Sequence, residues 1–186
     1  MSDEVLNKAL IFAVNAHTGM KRKGTNIPYI VHPMEAVAIV ASMTDDREII
    51  AAAALHDVVE DTQYTIDDIK NEFGDKVARL VASESEDKRP ELPESETWKI
   101  RKEETLKHLK NASIETKMIT LGDKLSNIRA IYRDYLNLGD KLWERFNVKD
   151  KNEHAWYYSS IVNLLSDLKE YPAWKEYKEL VDKVFN

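Results

Sequence analysis

The chain of 186 residues contains no cysteine. That absence excludes a disulfide framework, a thiolate zinc site and a cysteine nucleophile, so any metal must be held by histidine and carboxylate. Glycine and proline are scarce, at five each, and β-branched alternation is rare, which leaves helical spacing as the dominant pattern. Long hydrophobic runs are missing as well. No stretch approaches the roughly 18 consecutive apolar residues of a membrane span. The opening residues MSDEVLNKAL lack the basic start and long apolar core of a secretory signal. The expectation is a cytoplasmic protein without a membrane partner. Lys+Arg 27 against Asp+Glu 33 leaves a formal net charge of −6. An acidic total argues against a generic nucleic-acid binder, though it says nothing about local basic patches. With 43% hydrophobic and 32% charged residues, the chain is globular rather than disordered and long enough to bury a substantial core.

The pattern predicts helices over Asp3–Ala16, Pro33–Met43, Arg47–Glu60 and Asp75–Ser83, with a short one opened by Thr65-Ile66-Asp67-Asp68 and ending near Phe73-Gly74. Further helices are expected over Glu96–Lys110, Ser113–Tyr135, Lys151–Lys169 and Pro172–Phe185. The segment His17–Val31 holds Gly19, Gly24 and Pro28 and reads as a loop. Ser83–Ser95, with Pro90, Pro93 and many charges, reads as a mobile surface loop, and Asn137–Asp150 is less regular. No internal repeat or dividing linker is visible. The expected fold is an all-α, single-domain bundle of irregular topology over residues 1–186, its core motifs within 17–129 and a helical C-terminal part in 137–186.

Chemistry is sought where polar residues interrupt the apolar pattern. Ile49 to Val59 is apolar apart from the adjacent pair His56-Asp57. A helix that is hydrophobic all round is a buried helix, and buried charges are paired or bind metal. A buried ion pair is one reading of the doublet; metal ligation is the other. Along Ser113–Tyr135, Ile114, Met118, Leu121, Leu125, Ile128, Tyr132 and Tyr135 form a core stripe, while Ile119, Asp123, Asn127, Ala130 and Ile131 form a second. The second stripe either meets solvent or presents Asp123 and Asn127 at a site. Gly122 adjoins Asp123 and costs about 1 kcal/mol relative to alanine in a helix interior; a close backbone approach is one explanation. His32 precedes Pro33, where it could equally be a surface or capping residue. Glu60 and Asp61 lie one turn beyond His56 and Asp57, at a helix end that water could also solvate. His17, His108 and His154 have no comparable setting and are assigned to surface or packing. At least two of Trp156-Tyr157-Tyr158 are assigned to the core.

Taken together, His32, the doublet His56-Asp57 and Asp123 resemble the HD-domain metal-dependent phosphohydrolases. The fit is closer to the hydrolase domain of the RelA/SpoT alarmone family in its small stand-alone form. It is carried by HTGMKRKGTNIPYIVHP (His17–Pro33), ALHDVVEDT (Ala54–Thr62), SEDK (Ser85–Lys88) and GDKLSNIR (Gly122–Arg129). The resemblance covers most of Leu6 to about Leu165. It implies guanosine 3′,5′-bis(diphosphate) 3′-pyrophosphohydrolase activity on (p)ppGpp, usually with Mn²⁺, and His32, His56, Asp57 and Asp123 as the metal ligands. Such a mixed N/O set suits Mn²⁺, Fe²⁺ or Zn²⁺. The same resemblance assigns Glu60 and Asp61 to the attacking water and the leaving group. Arg22 and Lys23 would embrace the nucleotide, Tyr29 would wall the pocket, Lys88 would reach the diphosphate and Asn127 would bond ribose or phosphate.

Some positions depart from that pattern. Met20 stands where the family often has Gln, Gly122 replaces a more usual Ala, and Glu91–Thr97 lengthens the loop after Lys88. Beyond Asn137 the match fades, where Lys149 and Lys151 offer a further wall. Two other functions share these features: a phosphohydrolase of another nucleotide, such as the 2′-phosphate of NADPH, and a non-catalytic nucleotide-sensing module. Retention of all four ligands with Glu60-Asp61 argues against the second. The sequence carries no signal for an oligomeric state.

Overall fold

A computed structural model describes residues 3–87, 89 and 91–186. Among them every regular element is helical, apart from one isolated antiparallel bridge between Lys21 and Pro28. The all-α expectation is borne out. None of the described helices is long and apolar enough to cross a membrane.

The chain folds into two compact units, residues 1–85 with 114–123, and residues 86–113 with 124–186. The first contains α1 (Glu4–Ala16), α2 (Val31–Ala41), α3 (Arg47–Leu55), α4 (Val58–Asp61), α5 (Ile66–Phe73) and α6 (Asp75–Glu84). Its centre is α3, where Ala51, Ala52, Ala53 and Ala54 are fully buried. Their short side chains let α1, α2 and α6 pack closely on the one helix. Its start is set by Asp46, whose carboxylate accepts from the Glu48 amide at 2.9 Å. The Thr65-to-Asp68 motif closes into a full capping box at the start of α5.

The second unit holds α7 (Glu94–Leu109), α9 (Lys151–Leu164) and α10 (Pro172–Phe185), with α7 and α10 packed on α9. A 3-10 helix, Gly139–Arg145, accounts for the irregular pattern predicted there. It buries Trp143 against the His154 ring at 5.1 Å and against Phe185 at 5.5 Å. Glu86 is pinned by Arg101 at 3.0 Å, Lys102 at 2.7 Å and Thr105 at 2.9 Å. The long helix α8 (Ile114–Leu138) contributes its first ten residues to one unit and the remainder to the other.

Two helices differ from the predicted ones. The segment Arg47–Glu60 is not continuous: α3 ends at Leu55 and α4 begins at Val58, so His56 and Asp57 form the turn between them. The predicted Lys151–Lys169 helix stops at Leu164 and is followed by a 3-10 turn, Ser166–Leu168. On α8, Ile114 is 47% exposed, because the helix begins before its packed face does: Met118, Leu121, Leu125 and Ile128 of its stripe are buried, while Tyr132 and Tyr135 are half-buried. The other stripe is not a solvent face at its start, for Ile119 and Asp123 are both buried.

Candidate metal centre

The loop predicted over His17–Val31 is a small hairpin-like turn. The Arg22 amide donates to the Ile27 carbonyl and the Tyr29 amide to the Met20 carbonyl, each at 2.9 Å. This pairing fixes Tyr29 immediately before α2, and α2 presents His32 in its first turn. The Arg22 guanidinium lies over the Tyr29 ring, 5.5 Å from its centroid, in cation–π geometry. Lys23 is exposed on the same turn.

His32, His56, Asp57 and Asp123 converge within the first unit. The two Nε2 atoms stand 3.2 Å apart. Asp57 Oδ2 is 3.1 Å from His56 Nε2 and 3.4 Å from His32 Nε2. Asp123 Oδ1 is 3.2 Å and 3.8 Å from the Nε2 atoms of His32 and His56. One ligand atom each from His32, His56 and Asp57 lies within 4.8 Å of the others, and Asp123 faces both imidazoles. His56 Nδ1 is 2.8 Å from the Ala53 carbonyl. A carbonyl only accepts, so a proton belongs on Nδ1, and Nε2 is the nitrogen turned toward the cluster, its lone pair offered to an ion once its own proton has left. Both rings are buried. Buried imidazole nitrogens and carboxylates aimed at one point fit a divalent cation, and the donor set is hard to borderline.

The break between α3 and α4 sets where the Asp57 side chain points. Asp57 adopts φ −93°, ψ −4° and occupies the position before α4, yet its side chain does not cap that helix. Instead its Oδ2 accepts from the Tyr29 hydroxyl at 2.6 Å and faces the histidines. Burial, followed by the charges of Asp57 and Asp61, pushes the Tyr29 phenol far above its ordinary value, so Tyr29 acts as a donor. Glu60 and Asp61 follow on α4, both half-buried. The Asp61 amide bonds back to the Asp57 carbonyl at 2.9 Å, which ties its position to a cluster residue. Asn127 lies one turn beyond Asp123 along α8, in the residues of the second unit. Lys88 lies outside the described residues.

His17, assigned to surface or packing from sequence, is buried at the end of α1 and packs on Tyr29 with ring centroids 4.9 Å apart. Burial pushes its imidazole below the ordinary range, and neither ring nitrogen has a hydrogen-bond partner among the described residues. Its only sequence signal was membership of the HTGMKRKGTNIPYIVHP segment. His154 is a packing residue, its Nε2 2.8 Å from the Val148 carbonyl. Tyr157 and Tyr158 are core, as the aromatic run suggests, while Trp156 carries the Lys99 ammonium 3.5 Å from its ring centroid.

In the metal-free protein, burial disfavours the His56 imidazolium. The charge and hydrogen bond of Asp57, with Asp123 and the Ala53 carbonyl, overcome that penalty and raise the imidazole to about 10. Burial likewise opposes the Asp57 anion, but His56 and His32 hold it well below the ordinary carboxylate range. The stability consequence has a definite sign. A raised His56 stabilises fully below its ordinary 6.5 and loses that contribution as pH rises toward about 10. A depressed Asp57 stabilises above its ordinary 3.8 and loses that contribution in acid. Chelator-treated protein should therefore melt highest between those two ordinary values. Calorimetry from pH 6.5 to 9 should show a decline on the order of a few kcal/mol, about 5–10 °C, that is absent in His56→Gln. Equal slopes in both proteins would show that no imidazolium is held there.

Residues 9–143 match the HD-domain family. The chain belongs to that family. Among curated proteins it is similar to the zebrafish (Danio rerio) guanosine-3′,5′-bis(diphosphate) 3′-pyrophosphohydrolase MESH1. The two are 36% identical over 135 residues, covering 71% of this chain and 72% of that one. A Listeria monocytogenes crystal structure superposes with a TM-score of 0.73 at 32% identity, covering 89% of this chain and 99% of that one. A metazoan ortholog of SpoT, described as hydrolysing ppGpp, has the same fold, with a TM-score of 0.73 at 24% identity over 100% of this chain and 96% of that one.

Proposed function

We propose that this protein is a metal-dependent guanosine 3′,5′-bis(diphosphate) 3′-pyrophosphohydrolase, converting (p)ppGpp to GDP or GTP and pyrophosphate with Mn²⁺ as its ion. The observation that carries the reading is the convergence of two buried imidazoles and two carboxylates on one point, with Tyr29 bonded to Asp57 and Arg22 lying over Tyr29. The similarity to a relative bearing that activity in its name supports the substrate.

His32, His56, Asp57 and Asp123 would hold the ion, which when bound supplies Lewis acidity toward water and the phosphoryl group. The remaining work falls to this chain's own groups. Glu60 and Asp61 sit on α4, one turn from His56 and Asp57, where they orient the attacking water and manage protons. A bond forms from the water oxygen to the phosphorus nearest the 3′-oxygen, and the bond from phosphorus to that oxygen breaks. One carboxylate takes the water's proton, and the departing 3′-oxygen receives one in return. Tyr29 keeps Asp57 in place through its 2.6 Å hydrogen bond. Arg22 and Lys23 attract the anionic nucleotide, Arg22 by charge and stacking, with Lys88 and Asn127 assigned to phosphate and ribose.

The deciding experiment incubates Mn²⁺-reconstituted protein with ppGpp, pppGpp, NADPH and a panel of other phosphorylated nucleotides, following products by anion exchange. Turnover of ppGpp to GDP and pyrophosphate is expected. Phosphate release from NADPH with ppGpp untouched would transfer the chemistry to another substrate, and binding without turnover of any nucleotide would leave a sensing module.

A further inference from the structure

Gly122 has no backbone reason to be glycine. It lies in the interior of α8, where glycine is a poorer helix former than alanine. Its reason is steric. A Cβ at this position would stand 2.7 Å from Val40 Cγ2 and 3.1 Å from the Ala36 carbonyl oxygen. The first distance is a collision, and the second presses on backbone, which gives way less easily than a side chain. Both contacts come from α2.

The same ridge of α2 carries His32. His32, Ala36 and Val40 follow one another at four-residue intervals and so lie along one face of that helix. On the other helix, Gly122 is followed immediately by Asp123, whose Oδ1 stands 3.2 Å from His32 Nε2. This tight steric contact between the helices thus adjoins the pair of groups whose separation matters most. We propose that Gly122 is a positioning residue: its missing side chain sets the approach of α2 and α8 that brings Asp123 to His32. The inference rests on the reading of these two residues as metal ligands. It makes the centre's geometry depend on a residue that itself offers no donor atom.

A methyl group at 122 must push α2 away or rotate α8, and either motion separates Asp123 from His32. Changes in the groups that orient metal ligands typically cost about 10–100-fold in affinity. Trimming Val40 to alanine removes the atom at 2.7 Å and should relieve most of that effect. A merely structural glycine would behave differently: its replacement would lower the melting temperature without a matching loss of metal affinity.

The test is isothermal titration of Mn²⁺ into metal-stripped, full-length protein, with melting temperatures measured in parallel. Four proteins are compared: wild type, Gly122→Ala, Val40→Ala and the double variant. Gly122→Ala should bind Mn²⁺ about 10–100-fold more weakly. Val40→Ala should melt lower but bind as wild type, and the double variant should recover most of the lost affinity. Undiminished binding by Gly122→Ala overturns the proposal, as does a loss that the double variant fails to repair. If the single variant does not fold, the double variant decides: a folded protein with near wild-type affinity supports the role, and a weak binder or an unfolded chain ends it. Wild-type protein that binds no Mn²⁺ would remove the metal reading as well, whereas normal wild-type binding with an unaffected Gly122→Ala removes this inference alone.

Discussion

Replacing Asp123 by alanine is expected to abolish metal loading and turnover together while leaving the helices intact. Asp123 is 6% exposed and its Oδ1 faces both imidazole Nε2 atoms. Its removal takes away one of only two carboxylates in a cluster whose other members are two neutral-capable rings. An ion there would lose a ligand and half of the compensating negative charge, a loss of several kcal/mol of transition-state stabilisation, or about 10³-fold in rate. The helix itself should tolerate the change, since alanine is the best helix former and Ile119 and Leu121 keep the adjoining turn buried. The variant should also lower the His56 pKa, because the Asp123 charge helps to hold the metal-free imidazolium. Metal content by atomic absorption, activity by anion exchange and helicity by circular dichroism separate these effects. Asp123→Asn, which keeps the size but not the charge, should fall between wild type and alanine in metal affinity. Full metal content with full turnover in Asp123→Ala would remove it from the ligand set.

Much of this centre could be read from where the sequence violates its own pattern. His56-Asp57 stands out because every neighbour from Ile49 to Val59 is apolar, so burial and the need for a partner follow from position alone. Gly122 stands out as a helix-disfavouring residue beside an acidic one, and its contacts with Ala36 and Val40 supply the close approach that the sequence allowed as an explanation. The break at His56-Asp57 was not legible. Leucine, histidine, aspartate and valine in succession carry no stop signal, and the turn coincides with the contacts of Asp57 with Tyr29 and His32, residues distant in sequence. Nor could Ile114 be separated from its stripe, since periodicity records a face and not where the neighbouring helix begins. The small turn that aligns Arg22 with Tyr29 was hidden for a related reason. Its ladder is a single bridge between Lys21 and Pro28, too short to leave an alternating pattern.

Glu60→Gln and Asp61→Asn divide the chemistry from the scaffold. The two carboxylates are carried by a helix of one turn, Val58–Asp61, anchored by a fully buried Val58 and closed by the Thr62 hydroxyl donating to the Val58 carbonyl at 2.6 Å. That anchoring means an amide replacement should keep the side chain's location while removing its capacity to take up a proton. A positioned acid or base contributes about 10²–10⁴-fold. Glu60→Gln should therefore lower kcat by roughly that range, with Mn²⁺ content and KM nearly unchanged. Asp61→Asn should lose rate as well. It has a second consequence, because the Asp61 charge helps hold the Tyr29 phenol protonated, so it should also alter the hydrogen bond that steadies Asp57. The pH dependence of kcat assigns the roles: loss of the rising limb in one variant identifies the base, and loss of the falling limb in the other identifies the acid. Unchanged kcat in Glu60→Gln would remove that residue from the proton path and leave Asp61 as the single carboxylate beside the reacting phosphate.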